Sequence, residues 1–127
     1  MIDVIVVSDV DANRWDVEVL ESNLLTVADF WHKFCPWCIR LDPVFREVAE
    51  KYRGKAKFVK LNVLENQQNR EIAIRYGIMS TPTLVFFCKG RPVGQYVGFR
   101  SKESLEKIVD ELMEKHKECI KQSTELK

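Results

Sequence analysis

The chain has 127 residues, 46% of them hydrophobic, with 20 basic and 19 acidic side chains and a net charge of +1. That length suits one domain with a sizeable core, and the balanced charge argues against nucleic acid or an anionic membrane as partner. No run approaches the roughly 18 apolar residues of a membrane span. The opening MIDVIVVSDVDANRW has no basic segment and only a short apolar run, so a soluble, cytoplasmic protein is expected.

In chain order, IDVIVV (2–7) is β-branched and apolar and predicts a strand. DANRWDVEVLES (11–22) predicts a helix, with Trp15, Val19 and Leu20 on one side as core packing. LLTVADFW (24–31) predicts a strand buried on both faces. After FCPWC, Leu41, Val44, Phe45, Val48, Ala49 and Tyr52 form one helical stripe. Pro43 should kink that helix and Gly54 end it. AKFVKLNV (56–63) alternates as a strand, and NQQNREIAIRYG predicts a short helix stopped by Gly77. TPTLVFFCKG and RPVGQYVGF predict a hairpin turning at Lys89-Gly90-Arg91. Ser101 is placed to cap a last helix whose face carries Leu105, Ile108, Val109, Leu112 and His116.

Strands alternating with helices predict parallel crossovers, and the closing strand pair an antiparallel edge. The fold class is therefore α/β, a mixed sheet with helices on both sides. No linker or repeat interrupts it.

Cys35 falls where a buried strand ends and a helix begins. Unpaired N–H groups and the positive end of the helix dipole stabilise an anion there, so its thiol should ionise readily. Cys38, one turn inward, reaches the same sulfur but is more shielded. An exposed attacker and a protected resolver suit thiol–disulfide exchange. Pro36 fits the first helical turn. Trp37 should lie partly exposed beside Cys35 as an apolar contact for a protein partner.

Two other readings of the motif are a metal clip and a fixed disulfide. Structural zinc takes about four ligands. Cys35 and Cys38 supply two, leaving His32, Cys88, Cys119 or a second chain to supply the rest, so no metal is expected. His32 is read as an ordinary strand-end residue. Adjacent spacing does not pair Cys88 with Cys119, and both are expected to be free thiols. A fixed disulfide would close only a tiny loop at an exposed helix start, where a labile bond is favoured.

Asp29 interrupts an apolar strand, which is costly unless the carboxyl is paired or protonated. Lys60, interrupting FVKLNV, is its expected partner. A desolvated Asp near a thiol can take and return a proton. In STPTL, Pro82 before an apolar strand suggests a cis bond or rigid turn that leaves neighbouring backbone groups free for a bound peptide.

VADFW, C-x-x-C, Pro43, FVKLNV, YGIMSTPTL, the KG hairpin and VGFRSKESL occur in the order and spacing of the thioredoxin family, which the chain resembles from about residue 2 to about 113. The resemblance implies the thioredoxin fold: five mixed strands, about four flanking helices, and a site at one end. It implies Cys35 as nucleophile, Cys38 as resolving thiol, Asp29 as the buried acid serving Cys38, and Lys60 as its neighbour. Pro82 matches the cis-proline facing the disulfide, while Trp31, Thr81 and Gly98 match the groove walls, beside Phe34, Pro36 and Trp37. The implied protein reduces disulfides in protein substrates with no cofactor beyond its own Cys35–Cys38 pair. It draws electrons from a donor such as a thioredoxin reductase and works as a monomer. Residues 1–113 form the domain and 114–127 a helical extension or frayed tail.

The departures are Pro36-Trp37 in place of Gly-Pro, and Phe34 in place of Trp. Proline after the first cysteine resembles glutaredoxins and periplasmic disulfide oxidases, so oxidase, isomerase or glutaredoxin-like activity is one alternative. Thr81 before Pro82 fits thioredoxin better. A non-catalytic peptide-binding module using Phe34, Trp37, Met79 and Thr81 is the other.

Overall fold

Strand β2 (Leu25–Trp31) is hydrogen-bonded on both sides, to β3 (Ala56–Asn62) in parallel and to β4 (Thr83–Cys88) in antiparallel fashion. Its predicted burial on both faces follows from that central place. The computed structural model describes residues 5–125, with side chains described to residue 121. Around β2 the sheet order is β1-β3-β2-β4-β5, with β1 at Val7–Asp9 and β5 at Arg91–Val97. The five mixed strands, antiparallel only where β4 joins, match the expected fold class.

The first strand lies later than the sequence suggested. Residues 2–4 lie outside the described residues, and parallel pairing with β3 begins at Val7, opposite Phe58. Helix α1 (Ala12–Trp15) continues into a π-helical turn, Asp16–Leu20, so the segment read as one helix changes its winding midway. Trp15 is buried against Phe30, Tyr76 and Phe87. Helices α2 (Pro36–Lys51), α3 (Gln67–Arg75) and α4 (Lys102–Glu125) occupy the expected segments. Pro43 is accommodated within α2. The hairpin turns at Lys89 and Gly90, both at positive φ, as a two-residue turn between twisted strands requires.

Side-chain alternation divides the core. Leu25 and Val27 on β2, with Leu84 and Phe86 on β4, pack beneath Leu41, Phe45 and Val48 of α2 and Leu105, Val109 and Leu112 of α4. Ala28 and Phe30, with Val85 and Phe87, pack on the opposite side with Trp15, Ile72 and Ala73. Period two then puts Asp29 on the α2 face, the fact on which the site depends.

The same periodicity corrects the cysteine assignment. Cys88 continues the row of Leu84 and Phe86, and Cys119 continues the stripe of Leu105, Val109 and Leu112. They meet in a disulfide, with Cα atoms 6.6 Å apart and 31 positions apart in sequence. Neither is a free thiol. The bond ties the C-terminal part of α4 to the end of β4. Closing a loop of about this length destabilises the unfolded chain by about 3.7 kcal/mol through lost chain entropy. Oxidised protein carrying Cys88→Ala and Cys119→Ala is expected to unfold with that much less stability in urea. Equal unfolding midpoints for the variant and the parent would show that the bond adds nothing.

Candidate functional site

The site forms where β2 runs out and α2 starts. Cys35 is the residue just before the first turn of α2, with an extended backbone, and Pro36 takes the first helical position. There the Cys38 N–H donates to Cys35 Sγ at 3.2 Å, so one of the helix's unpaired donors serves the sulfur. The two cysteines are joined, with Cα atoms 5.2 Å apart. Cys35 keeps 7% of its surface and Cys38 only 1%. The expected asymmetry is present, though narrower than the sequence suggested, because neighbouring loops cover most of Cys35 as well.

One of those loops carries Pro82. The Thr81–Pro82 peptide bond is cis, and the Thr81 carbonyl oxygen lies 3.4 Å from Cys35 Sγ. The Gly98 N–H donates to the Pro82 carbonyl at 2.8 Å, with Gly98 at φ +94°. Glycine adopts that backbone freely. Thr81 thus contacts Cys35, and Pro82 and Gly98 are tied to it through the cis bond and the Gly98 hydrogen bond.

Exposed apolar side chains lie next to Cys35 in the chain and beside Thr81: Phe34 is 73% exposed, Trp37 53% and Met79 94%. Trp37 is steadied by the Arg40 guanidinium 4.7 Å from its ring and by Phe99 at 5.7 Å. The sequence reading missed Phe99. Its position directly after Gly98 was the available signal. On the other side of Thr81 a groove of about 230 Å³ is lined by His32, Leu64, Ile74, Ile78 and Met79. His32 accepts the Phe34 N–H at Nδ1, 3.2 Å away, which orients the loop before Cys35.

Asp29 lies fully buried on the α2 face, and neither carboxyl oxygen has a hydrogen-bond partner. Loss of water pushes its pKa up to about 7; Lys60 opposes the rise and the Asp42 charge adds to it. Lys60 stands directly opposite Asp29 in the β2–β3 register, but it is not the salt-bridge partner the sequence suggested. Its ammonium binds the Asp42 carboxylate instead. Asp42 is partly exposed and can stay ionised more cheaply than a fully buried carboxylate. Burial alone would raise the Asp42 pKa, but hydrogen bonds from Lys60 and Arg46 and their charges hold it below the usual range.

Trp31 stands with this group. The Lys60 ammonium sits 4.1 Å from the centre of its ring. Both line a cavity of about 280 Å³ that also touches Cys38, Asp42 and Arg46. Trp31 therefore flanks the inner cysteine, and it is absent from the groove beside Thr81. Asp42, four residues after Cys38 and so on the same side of α2, went unremarked in the sequence. Among the described residues no three His, Cys, Asp or Glu side chains gather as a metal ion would need. No described helix is long and apolar enough to cross a membrane.

The arrangement can hold a sulfur anion at a helix start, pass a proton at a buried carboxyl, and present exposed apolar side chains next to the sulfur-bearing residue. A family model described as thioredoxin matches residues 6–111. The thioredoxin of Chlorobaculum thiosulfatiphilum is 40% identical over 98 residues, 77% of this chain and 88% of that protein. A thioredoxin of Staphylococcus aureus (strain Mu50 / ATCC 700699) is 43% identical over 91 residues, 72% of this chain and 84% of that protein.

Proposed function

The chain belongs to the thioredoxin family, and on that premise we propose how its residues carry out the reduction of protein disulfides. It is a thiol–disulfide oxidoreductase whose redox group is its own cysteine pair. The observation that carries the assignment of roles is the Cys35 sulfur, held at the start of α2 by the Cys38 N–H and facing the cis Thr81–Pro82 bond.

The Cys35 thiolate attacks one sulfur of a substrate disulfide. A Cys35–substrate disulfide forms and the first substrate sulfur leaves as a thiolate, which takes a proton from solvent. Cys38 then loses its proton to the Asp29 carboxylate and attacks Cys35 Sγ. The second substrate sulfur leaves, and Cys35–Cys38 closes. Asp29 suits the proton transfer because a pKa of about 7 lets it bind or release a proton near neutral pH. Lys60 tempers its charge. Phe34, Pro36, Trp37, Thr81, Pro82 and Gly98 receive the substrate segment, with Trp31 backing Cys38. Two electrons from a donor of the thioredoxin reductase kind restore the dithiol. The work belongs in the cytoplasm, where accessible thiols are kept reduced, while the Cys88–Cys119 pair is buried. Residues 1–113 act as the catalytic domain, and residues 114–125 extend its last helix.

The decisive measurement is the equilibrium reduction potential of Cys35–Cys38, read in the Cys88→Ala, Cys119→Ala protein against a dithiothreitol buffer. A value near about −270 mV, characteristic of thioredoxins themselves, is expected. One above roughly −180 mV would reverse the direction to disulfide formation or isomerisation and assign the change to Pro36-Trp37.

A further inference from the structure

Two carboxylates compete for one lysine beside the inner cysteine. Lys60 is in register with Asp29, yet its ammonium is bound by Asp42, whose second oxygen accepts from Arg46 at 2.9 Å. Asp29 is left with no hydrogen bond at either oxygen. Asp42, Lys60 and Cys38 line the same cavity of about 280 Å³, so the ion pair borders the inner cysteine. Leu41, Phe45 and Val48 anchor α2 to the sheet by burial, and the Asp42–Lys60 pair adds a second link to β3.

We propose that Asp42 is a positioning residue for the exchange reaction: by drawing the Lys60 ammonium toward the cavity and away from Asp29, it sets the pH at which Asp29 gives up its proton. The proposal rests on the reading of Asp29 as the group that exchanges a proton with Cys38. Besides Asp42, the charged groups lining the cavity that Lys60 enters are Arg46 from α2 and Asp9 from the end of β1, with Cys38 beside them held in its disulfide. Glu65 joins Asp9, Trp31 and Lys60 around the adjoining hollow. From β4 the register neighbour is the apolar Leu84, and the buried face of α4 carries Leu105 and Val109. Among the acids, Asp42 holds the Lys60 ammonium directly and also acts on the Asp29 charge.

Removing the Asp42 charge frees Lys60 to turn to Asp29 and ends the repulsion between the carboxylates. Both changes favour the ionised form of Asp29. The test is the Asp29 titration, followed by the carbon-13 signal of its carboxyl in the oxidised protein. In Asp42→Asn the midpoint is expected to fall from about 7 by about one pH unit or more. Asp42→Glu should restore it, and Asp42→Ser should repeat the fall should the Asn amide hold Lys60 in place. A midpoint unchanged in both Asn and Ser variants overturns the proposal. The pH at which Cys38 releases bound substrate at half its maximal rate should move down by the same amount. If the carboxyl titration moves and the release profile does not, Asp29 is not the proton acceptor and Asp42 loses its place in the reaction. A fall in stability without a shift in either midpoint would reduce Asp42 to a structural residue.

Discussion

Cys38→Ser should turn the protein from a catalyst into a trap. The first step needs only the Cys35 thiolate, and serine at 38 keeps the N–H that supports that sulfur at 3.2 Å. The second step needs a sulfur at 38, so the covalent complex persists and turnover falls to the uncatalysed rate. Non-reducing gels, with masses of the trapped species, would show chain and substrate joined through Cys35. Cys35→Ser should form no such adduct, because the remaining thiol is almost fully enclosed. Adducts through Cys38 in that variant would reverse the two roles. The second disulfide offers no alternative route, since its sulfurs lie at the junction of β4 with α4.

Asp29→Asn should make the protein more stable at pH 8.5 while slowing release of the trapped substrate. Burial lifts the carboxyl from 3.8 to about 7. The folded state therefore holds a proton more tightly than the unfolded chain. Between those two values the folded protein binds more protons, so stability falls as pH rises, and it levels off above 7. The cumulative loss is on the order of 4 kcal/mol. Asparagine has the same shape and no charge, so it removes that loss. Urea unfolding of parent and variant should agree near pH 4 and diverge by several kcal/mol at pH 8.5. An equal difference at both pH values would show that the carboxyl does not ionise inside the fold. Below pH 6 the release rates should converge, because the parent's Asp29 is then protonated as well.

Much of this site could be read from the chain because its features are local. An apolar run broken only by Asp29 signals a buried strand with a special carboxyl. C-P-W-C directly after it signals a helix start, and Lys89-Gly90 between two apolar runs signals a tight turn. What escaped depends on two elements at once. The row Leu84, Phe86, Cys88 and the stripe Leu105, Leu112, Cys119 were each visible. Their meeting depends on which strand lies under α4, and the sheet order decides that. Lys60 is the register neighbour of Asp29. Its ion pair went elsewhere because burial sets the cost of each carboxylate, and burial is not a property of neighbouring letters. The π-helical turn at Asp16–Leu20 also left no mark in the 3.6-residue pattern.

The disulfide between Cys88 and Cys119 alters the electron count. A fully oxidised chain carries two cysteine pairs and takes up four electrons before all its thiols are free. A thiol-reactive dye should report four sulfhydryls per denatured, reduced chain and two after selective reduction of the Cys35–Cys38 pair. Any assay that equates thiol release with turnover would therefore overstate the catalytic capacity twofold unless the pair at the β4–α4 junction is counted separately.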